Sequence, residues 1–218
     1  MRGEPFRFSP IIYVKKLTSD HKEISLNLSV KENAVPAFFR ILQKGFFIKV
    51  QVGCSINELF CGQFGMSPEY FEERVQTVFL NGNPVDETRS AIVKDGSRIA
   101  LSGAMPGLVG AVLRKGGFYS SLRSGISYRE KDKIKSSGKG IIFLKIFNLL
   151  LKDLGPAFLK KGILVEGKDI HSFFQKQSED FWKGFGSAKV DGRDIRQEEL
   201  LNMKWPGSLI FLHVRPLR

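Results

Sequence analysis

Three histidines, two cysteines and a few adjacent carboxylates are the residues of this chain best suited to chemistry, and their spacing does not assemble a reaction centre. His213 alternates with Leu209 and Phe211, which puts it on one face of an expected strand and suits a partly buried sheet residue better than a general base. His171 follows Asp169 by two positions on an expected helix, where residues two apart do not face each other. His21 falls in a turn. Cys54 and Cys61 are seven residues apart, which on a helix is about two turns or roughly 10 Å along the axis, too far for a bond between their sulfurs. Both are expected to be reduced. No Cys/His spacing fits a zinc site, so no metal is expected. Glu72-Glu73 and Glu198-Glu199 are neighbouring carboxylates that point apart, which reads as solvated charge. No Gly-x-x-x-x-Gly-Lys-Ser/Thr phosphate loop occurs, and no cofactor is expected. The chain reads as a non-enzyme.

Binding is better provided for. The formal charge of +12 favours acidic partners, whether protein or nucleic acid. Half of that excess falls between Arg114 and Lys139, where eight Lys/Arg face only Glu130 and Asp132. This stretch reads as a solvated basic linker that opens at Gly116-Gly117. Just before it, Met105, Leu108 and Val109 sit in a glycine-rich loop (103–110) and are candidates for docking a partner or for packing inside the molecule. Arg114, Lys115, Arg123 and Arg129 are the candidate cations that would steer an acidic protein. Phe118-Tyr119, Arg123 and Tyr128-Arg129 interleave aromatic with basic residues, an arrangement that would stack and neutralise single-stranded nucleic acid or RNA.

The elements that must position these residues come in two similar sets. Ile11-Ile12-Tyr13-Val14-Lys15 is echoed by Ile141-Ile142-Phe143-Leu144-Lys145, and Pro36-Ala37-Phe38-Phe39 by Pro156-Ala157-Phe158-Leu159. A Lys-Gly pair follows in each half (Lys44-Gly45, Lys161-Gly162). Asn81-Gly82 returns as Asp191-Gly192, and Gly96-Ser97-Arg98-Ile99-Ala100-Leu101 as Gly207-Ser208-Leu209-Ile210-Phe211-Leu212. A repeat this long is a whole small domain rather than a solenoid turn. In the first half, 11–17 and 24–30 read as a hairpin, with Ile24, Leu26, Leu28 and Val30 alternating with polar residues. Asn33 caps a helix that closes at Gly45. A strand follows over 46–52, and then a helix opened by the capping box Ser55-x-x-Glu58 and stopped near Gly65. Strands at 77–80 and 98–102 complete the set around the Asn-Gly turn. The second half repeats this with strands at 141–150, 163–166, 188–190 and 209–214 and a helix over 169–183 whose Ile170, Phe173, Phe174 and Phe181 share a face.

Strand, strand, helix, then two strands around an Asn/Asp-Gly turn resembles the β-grasp (ubiquitin-like) fold. The resemblance is to the small sulfur-carrier group that includes the molybdopterin synthase small subunit and the thiamine-pathway carrier. Leu144-Lys145-Ile146-Phe147, Leu164-Val165-Glu166-Gly167 and Ile170 to Phe174 carry it in the second half. In the first half it rests on Lys49-Val50-Gln51-Val52-Gly53, Ile56 to Phe60, Leu80-Asn81-Gly82 and Lys94-Asp95-Gly96-Ser97-Arg98-Ile99-Ala100-Leu101. The resemblance implies an α+β protein of two tandem β-grasp-like domains, 1–113 and 140–218, joined by a basic linker at 114–139. Carriers of that group work through a C-terminal Gly-Gly. Here the sequence ends Arg215-Pro216-Leu217-Arg218, so Gly116 and Gly117 would serve only after cleavage behind Gly117.

No stretch approaches the roughly 18 apolar residues of a membrane span, and the first residues lack a signal-peptide pattern; a cytoplasmic protein with no membrane partner is expected. The leading expectation is a non-catalytic binding or scaffold module that recognises a protein, acidic in character, through β-grasp surfaces and edges. The alternatives are a sulfur carrier or conjugation protein made by cleavage, and an RNA-binding protein that uses the basic linker.

Overall fold

A computed structural model of the chain describes residues 23–129, 137–147, 149–205 and 207–217. The expected strand 11–17, the turn with His21, and the charged run 130–136 lie outside them. In chain order the elements are β1 (Ile24–Val30), a 3-10 helix (Glu32–Phe38), α1 (Phe39–Lys44), β2 (Phe46–Val52), a π-helix (Glu58–Gln63), α2 (Pro68–Arg74), β3 (Thr77–Leu80), β4 (Asn83–Pro84), β5 (Arg98–Ser102), α3 (Gly107–Leu113) and a second 3-10 helix (Phe118–Arg123). They continue as β6 (Gly138–Ile146), α4 (Leu149–Lys161), β7 (Ile163–Glu166), α5 (Gly167–Gln175), α6 (Glu179–Lys183), β8 (Phe185–Val190), β9 (Arg193–Ile195), α7 (Gln197–Asn202) and β10 (Leu209–Pro216). The class is α+β.

The chain divides into two compact units, but not at the boundaries 113/114 and 139/140 that the sequence suggested. Unit 2 is continuous, Leu42–Gly155, while unit 1 joins the described residues before Leu42 with those from Pro156 onward. Both crossings fall inside helices, in the Phe39–Lys44 and Leu149–Lys161 segments that hold or follow the echoed Pro-Ala-Phe motifs. Unit 2 therefore contains β2 to β6, with strand order β2-β6-β5-β3-β4. Unit 1 contains β1 and β7 to β10, in the order β7-β10-β1-β8-β9.

The two sets of five strands share one pattern of directions. In unit 2, β6 runs antiparallel to β2 and parallel to β5, which pairs antiparallel with β3. In unit 1, β10 runs antiparallel to β7 and parallel to β1, which pairs antiparallel with β8. The local chemistry matches place by place. Asn81 (φ 54°) and Gly82 (φ 88°) turn β3 into β4, and Asp191 (φ 48°) and Gly192 (φ 85°) turn β8 into β9, the two positive φ values of a hairpin turn whose twist suits its strands. The Asn81 side chain accepts the Arg98 N–H at 2.8 Å, and the Asp191 side chain accepts the Ser25 N–H at 2.9 Å. Gly45 (φ 96°) and Gly162 (φ 95°) lie under the rings of Phe143 and Phe211, where a Cβ would run into the aromatic carbons.

Each unit is held by its own apolar layer. In unit 1, Leu26, Leu28 and Val30 are almost wholly buried while Ser25, Asn27 and Ser29 are partly exposed, the alternation that a strand with one dry face requires. Each such side chain contributes about 1.5–3 kcal/mol relative to exposure. Phe38, Phe173, Phe181, Trp182 and Phe185 build an aromatic layer with centroid separations from 4.6 to 6.4 Å, so the phenylalanine-rich composition does fill a thin core. In unit 2 the stacked pair Phe60 and Phe71 (5.8 Å) is wholly buried.

Two expected helices differ. The capping box forms as read, with Glu58 N–H donating to Ser55 Oγ (3.1 Å) and Ser55 N–H to Glu58 Oε2 (2.7 Å), but the turn that follows is a π-helix ending at Gln63. Its extra residue lets the Gln63 amide reach the Gln51 backbone, accepting one bond at 2.9 Å and donating another at 2.8 Å. The helix expected over 169–183 breaks at Lys176–Ser178, because Ser178 starts a fresh helix by accepting the Phe181 N–H.

Candidate functional site

The segment between β5 and β6 is where the fold and the exposed apolar residues meet. Residues 103–129 hold no Asp or Glu, and they were expected to be a loop running into a solvated linker. They fold instead through Tyr128 into two short helices, α3 and the 3-10 helix Phe118–Arg123, packed on one another. This helical pair is called the platform below.

Arg123 holds the platform down. Its guanidinium is 4 % exposed as a residue and spends all five N–H donors: Nε on Val112 O (2.7 Å), Nη1 on Asp86 Oδ2 (3.0 Å) and Ser127 Oγ (2.8 Å), Nη2 on Asp86 Oδ1 (2.6 Å) and Arg114 O (3.2 Å). The sequence reading placed Arg123 on the surface as a steering cation. That is corrected: one arginine satisfies carbonyls at the end of α3 and locks both helices to Asp86 beside β4. Lys115 is also drawn inward. Its side chain is 10 % exposed, its Nζ pairs with Glu72 at 2.7 Å and lies 4.9 Å from the Phe71 ring centroid, so it too is anchoring and not steering. Arg114 and Arg129 are the members of the basic set that remain exposed.

The apolar set divides likewise. Met105 is half-buried against the platform, its backbone so close to Gly110 that a Cβ there would collide. Leu108 and Val109 are each 69 % exposed. Beside them the structure exposes residues that the sequence reading did not assign to docking: Phe118 at 91 %, Leu122 at 70 % and Ile126 at 56 %. Leu122 and Ile126 stand four apart, a spacing that was visible in the sequence but was overshadowed there by the surrounding charge.

Gly116 and Gly117 are no loose tail. Gly116 N–H donates to Asp86 Oδ1 (2.9 Å), Gly117 N–H to Arg114 O (3.2 Å), and Gly117 caps the 3-10 helix. The open linker entrance expected there is an anchored turn. Cleavage behind Gly117 would also separate β6 from β2 and β5, the strands between which it lies. The sheet edge is occupied as well: Pro84 has no N–H to offer, Pro84 O accepts the Tyr128 N–H (2.8 Å), and Asn83 Nδ2 donates to Ile126 O (2.9 Å). At β4 the Pro84 backbone therefore has nothing to offer the expected partner strand.

Four side chains have ionisation shifted by their surroundings: Cys54, Cys61, Tyr70 and His213. Burial raises the Cys54 thiol above its ordinary value, and burial with Glu72 and Glu69 raises Cys61, which keeps both as neutral thiols. Tyr70 is pushed up to about 12 by burial and by the hydrogen bond its hydroxyl donates to Asp153 (2.7 Å). His213 is lowered by burial. His171 is exposed, and Glu199 pairs with Arg196 at 3.1 Å. Among the described residues no group of three His, Cys, Asp or Glu could hold a metal ion, and no helix is long and apolar enough to cross a membrane. Compared with protein-family models, with curated proteins and with solved structures, the chain finds no match.

Proposed function

We propose that the chain is a non-catalytic recognition module, built from two β-grasp-like units by internal duplication, that docks a protein partner on the platform of residues 103–128. The observation that carries this reading is the pinned apolar surface: Leu108, Val109, Phe118 and Leu122 stand largely in water on helices held in place by a fully bonded, buried arginine. Apolar side chains exposed together on a rigid support favour recognition, because the partner's docking then orders few groups. The β-grasp likeness is supported by the parallel central pair flanked by antiparallel strands and by the matching Asn-Gly and Asp-Gly turns.

Arg114 and Arg129, with no acid anywhere in 103–129, would speed the approach of an acidic partner without contributing much to its final affinity. The test is co-purification from the native organism of wild type against Phe118→Ser/Leu122→Ser. Both side chains are exposed, so the fold survives the change. A partner retained by wild type and lost by the double variant is expected. A partner held equally by both would sink the reading. RNA in place of protein would move the surface to the aromatic pair Phe118 and Tyr119, whose rings meet edge-on at 5.1 Å.

A further inference from the structure

We propose that unit 1 carries a second, separate binding site, a hollow for a small organic anion: a carboxylate or phosphate head on a short apolar body. The hollow, about 490 Å³, lies between the 3-10 helix and α1 on one side and the turn joining α5 to α6 on the other. That volume falls in the range of small-molecule sites, and its lining follows their usual division into apolar residues and a few polar groups. Ala34, Ala37 and Phe181 supply the apolar lining together with Pro36. Ala34 and Ala37 are small enough to leave room above them, and Phe181 is fixed from behind by Phe38 (5.8 Å) and Phe173 (5.6 Å).

Two of the polar groups are cations. Arg40 reaches the hollow from α1 and Lys176 from the α5–α6 turn, so two cations converge from different elements. Neither has an acidic partner among the described residues. The one carboxylate in the lining, Asp180, is paired with Lys183 at 2.9 Å. Ser178 accepts the Phe181 N–H, which leaves its hydroxyl hydrogen to donate into the hollow. A guanidinium fork, an ammonium and a hydroxyl beside an apolar lining suit an anionic head with its body turned inward. A neutral or cationic ligand would leave the two positive charges facing each other. The wall that carries Asn33 to Ala37 is a seven-residue 3-10 helix, longer than such helices usually run and a further sign that this wall is held to a particular shape.

The site is independent of the platform, and its test uses the full chain. Benzoate, phenyl phosphate, inorganic phosphate and the neutral benzamide are titrated while backbone amide shifts are followed by NMR. Saturable shifts at residues 33–40 and 176–181 are expected with benzoate or phenyl phosphate, and the tighter of the two identifies the head group. Arg40→Gln and Lys176→Gln, both at exposed positions, should each weaken binding about tenfold. Ala37→Phe should abolish it by filling the hollow; should that variant fail to fold, the two charge variants carry the test. No saturable shift with either organic anion would overturn the proposal. So would equal binding of benzamide, affinity unchanged in both charge variants, or inorganic phosphate binding as well as either organic anion.

Discussion

Unit 2 and unit 1 place five strands in the same pattern of directions, yet they recruit those strands from the chain differently. In unit 2 all five come from one continuous stretch, and the connection between its parallel central strands, β5 to β6, is long enough to fold into the platform. In unit 1 the parallel central strands are β10 and β1, which are not consecutive in the chain, and among the described residues no segment corresponds to the platform. The difference teaches that layout and decoration are separable. The sheet is set by which strands can bury an apolar face side by side, while the added surface depends on whether two neighbours are also neighbours in sequence.

The largest effect should come from the two places where the units agree most closely. Gly45→Val and Gly162→Val would each force a β-branched residue into a positive φ and drive its Cβ into Phe143 or Phe211. Left-handed strain and overpacking together predict a loss of about 3–4 kcal/mol at each position in urea unfolding. Near-equal losses would confirm that Phe143 and Phe211 hold the same place. A loss at one site alone would break the equivalence of the two units.

Arg123→Ala tests the platform, which belongs to unit 2. It removes a buried cation and leaves Asp86, three carbonyl or hydroxyl acceptors and the Gly116 turn without their common partner. Breaking a buried pair costs about 3–5 kcal/mol, and the 38 % exposure of the Asp86 side chain lowers this to about 2–3 kcal/mol. Hydrogen exchange should show lost protection over 103–128 with unit 1 unaffected. Protection lost evenly across both units would mean that the platform is part of the core and not an addition to it.

Much of this was legible in the sequence, and the failures have physical causes. Strands 24–30, 46–52, 77–80, 98–102 and 163–166 follow from alternation and bounding glycines, and the Ser55/Glu58 capping box from its spacing. The echoes between the two halves are plain in the sequence, but they do not give the spatial correspondence of the strands. By sequence, 207–212 echoes 96–101; by place, Phe211 matches Phe143, and Ser25 matches Arg98. Central strands in such a sheet are all apolar alternations, so similarity of pattern cannot say which neighbour each will choose. The platform was misread because a run of cations looks solvated. Arg123 and Lys115 are satisfied by Asp86 and Glu72, 37 and 43 residues away, and no local pattern announces such partners.

A smaller effect separates the two hairpin turns. Asn81→Ala and Asp191→Ala each delete an acceptor for a neighbouring strand's N–H and place a Cβ residue that disfavours positive φ in the turn. About 1–2 kcal/mol is expected for each by denaturant unfolding. Asp191 should differ from Asn81 in its salt dependence, since only its bond to the N–H is charge-assisted. Identical salt slopes would remove that distinction.

The smallest effect is one of pH, and it belongs to unit 1 alone. His213 on β10 stands where unit 2 has Lys145 on β6, counting from Phe211 and Phe143. One ring nitrogen meets Lys160 O and the other Asn27 Oδ1 at 3.2 Å, across the β1–β10 pairing. Burial disfavours the imidazolium most, Arg215 adds repulsion, and the Lys160 carbonyl opposes them only in part, so the folded pKa lies below its ordinary 6.5. The unfolded chain therefore takes up a proton near 6.5 that the folded chain refuses. His213's contribution is present in full above that pH and declines as pH falls from 6.5 through the lower folded value. Urea midpoints measured from about pH 5 to 8 should slope downward toward acid in wild type and less so in His213→Gln. Hydrogen exchange should put the difference in β1, β7, β8 and β10 and leave β2 to β6 unchanged. A wild-type slope that survives the substitution would assign the pH dependence to the carboxylates, and the units would then share it.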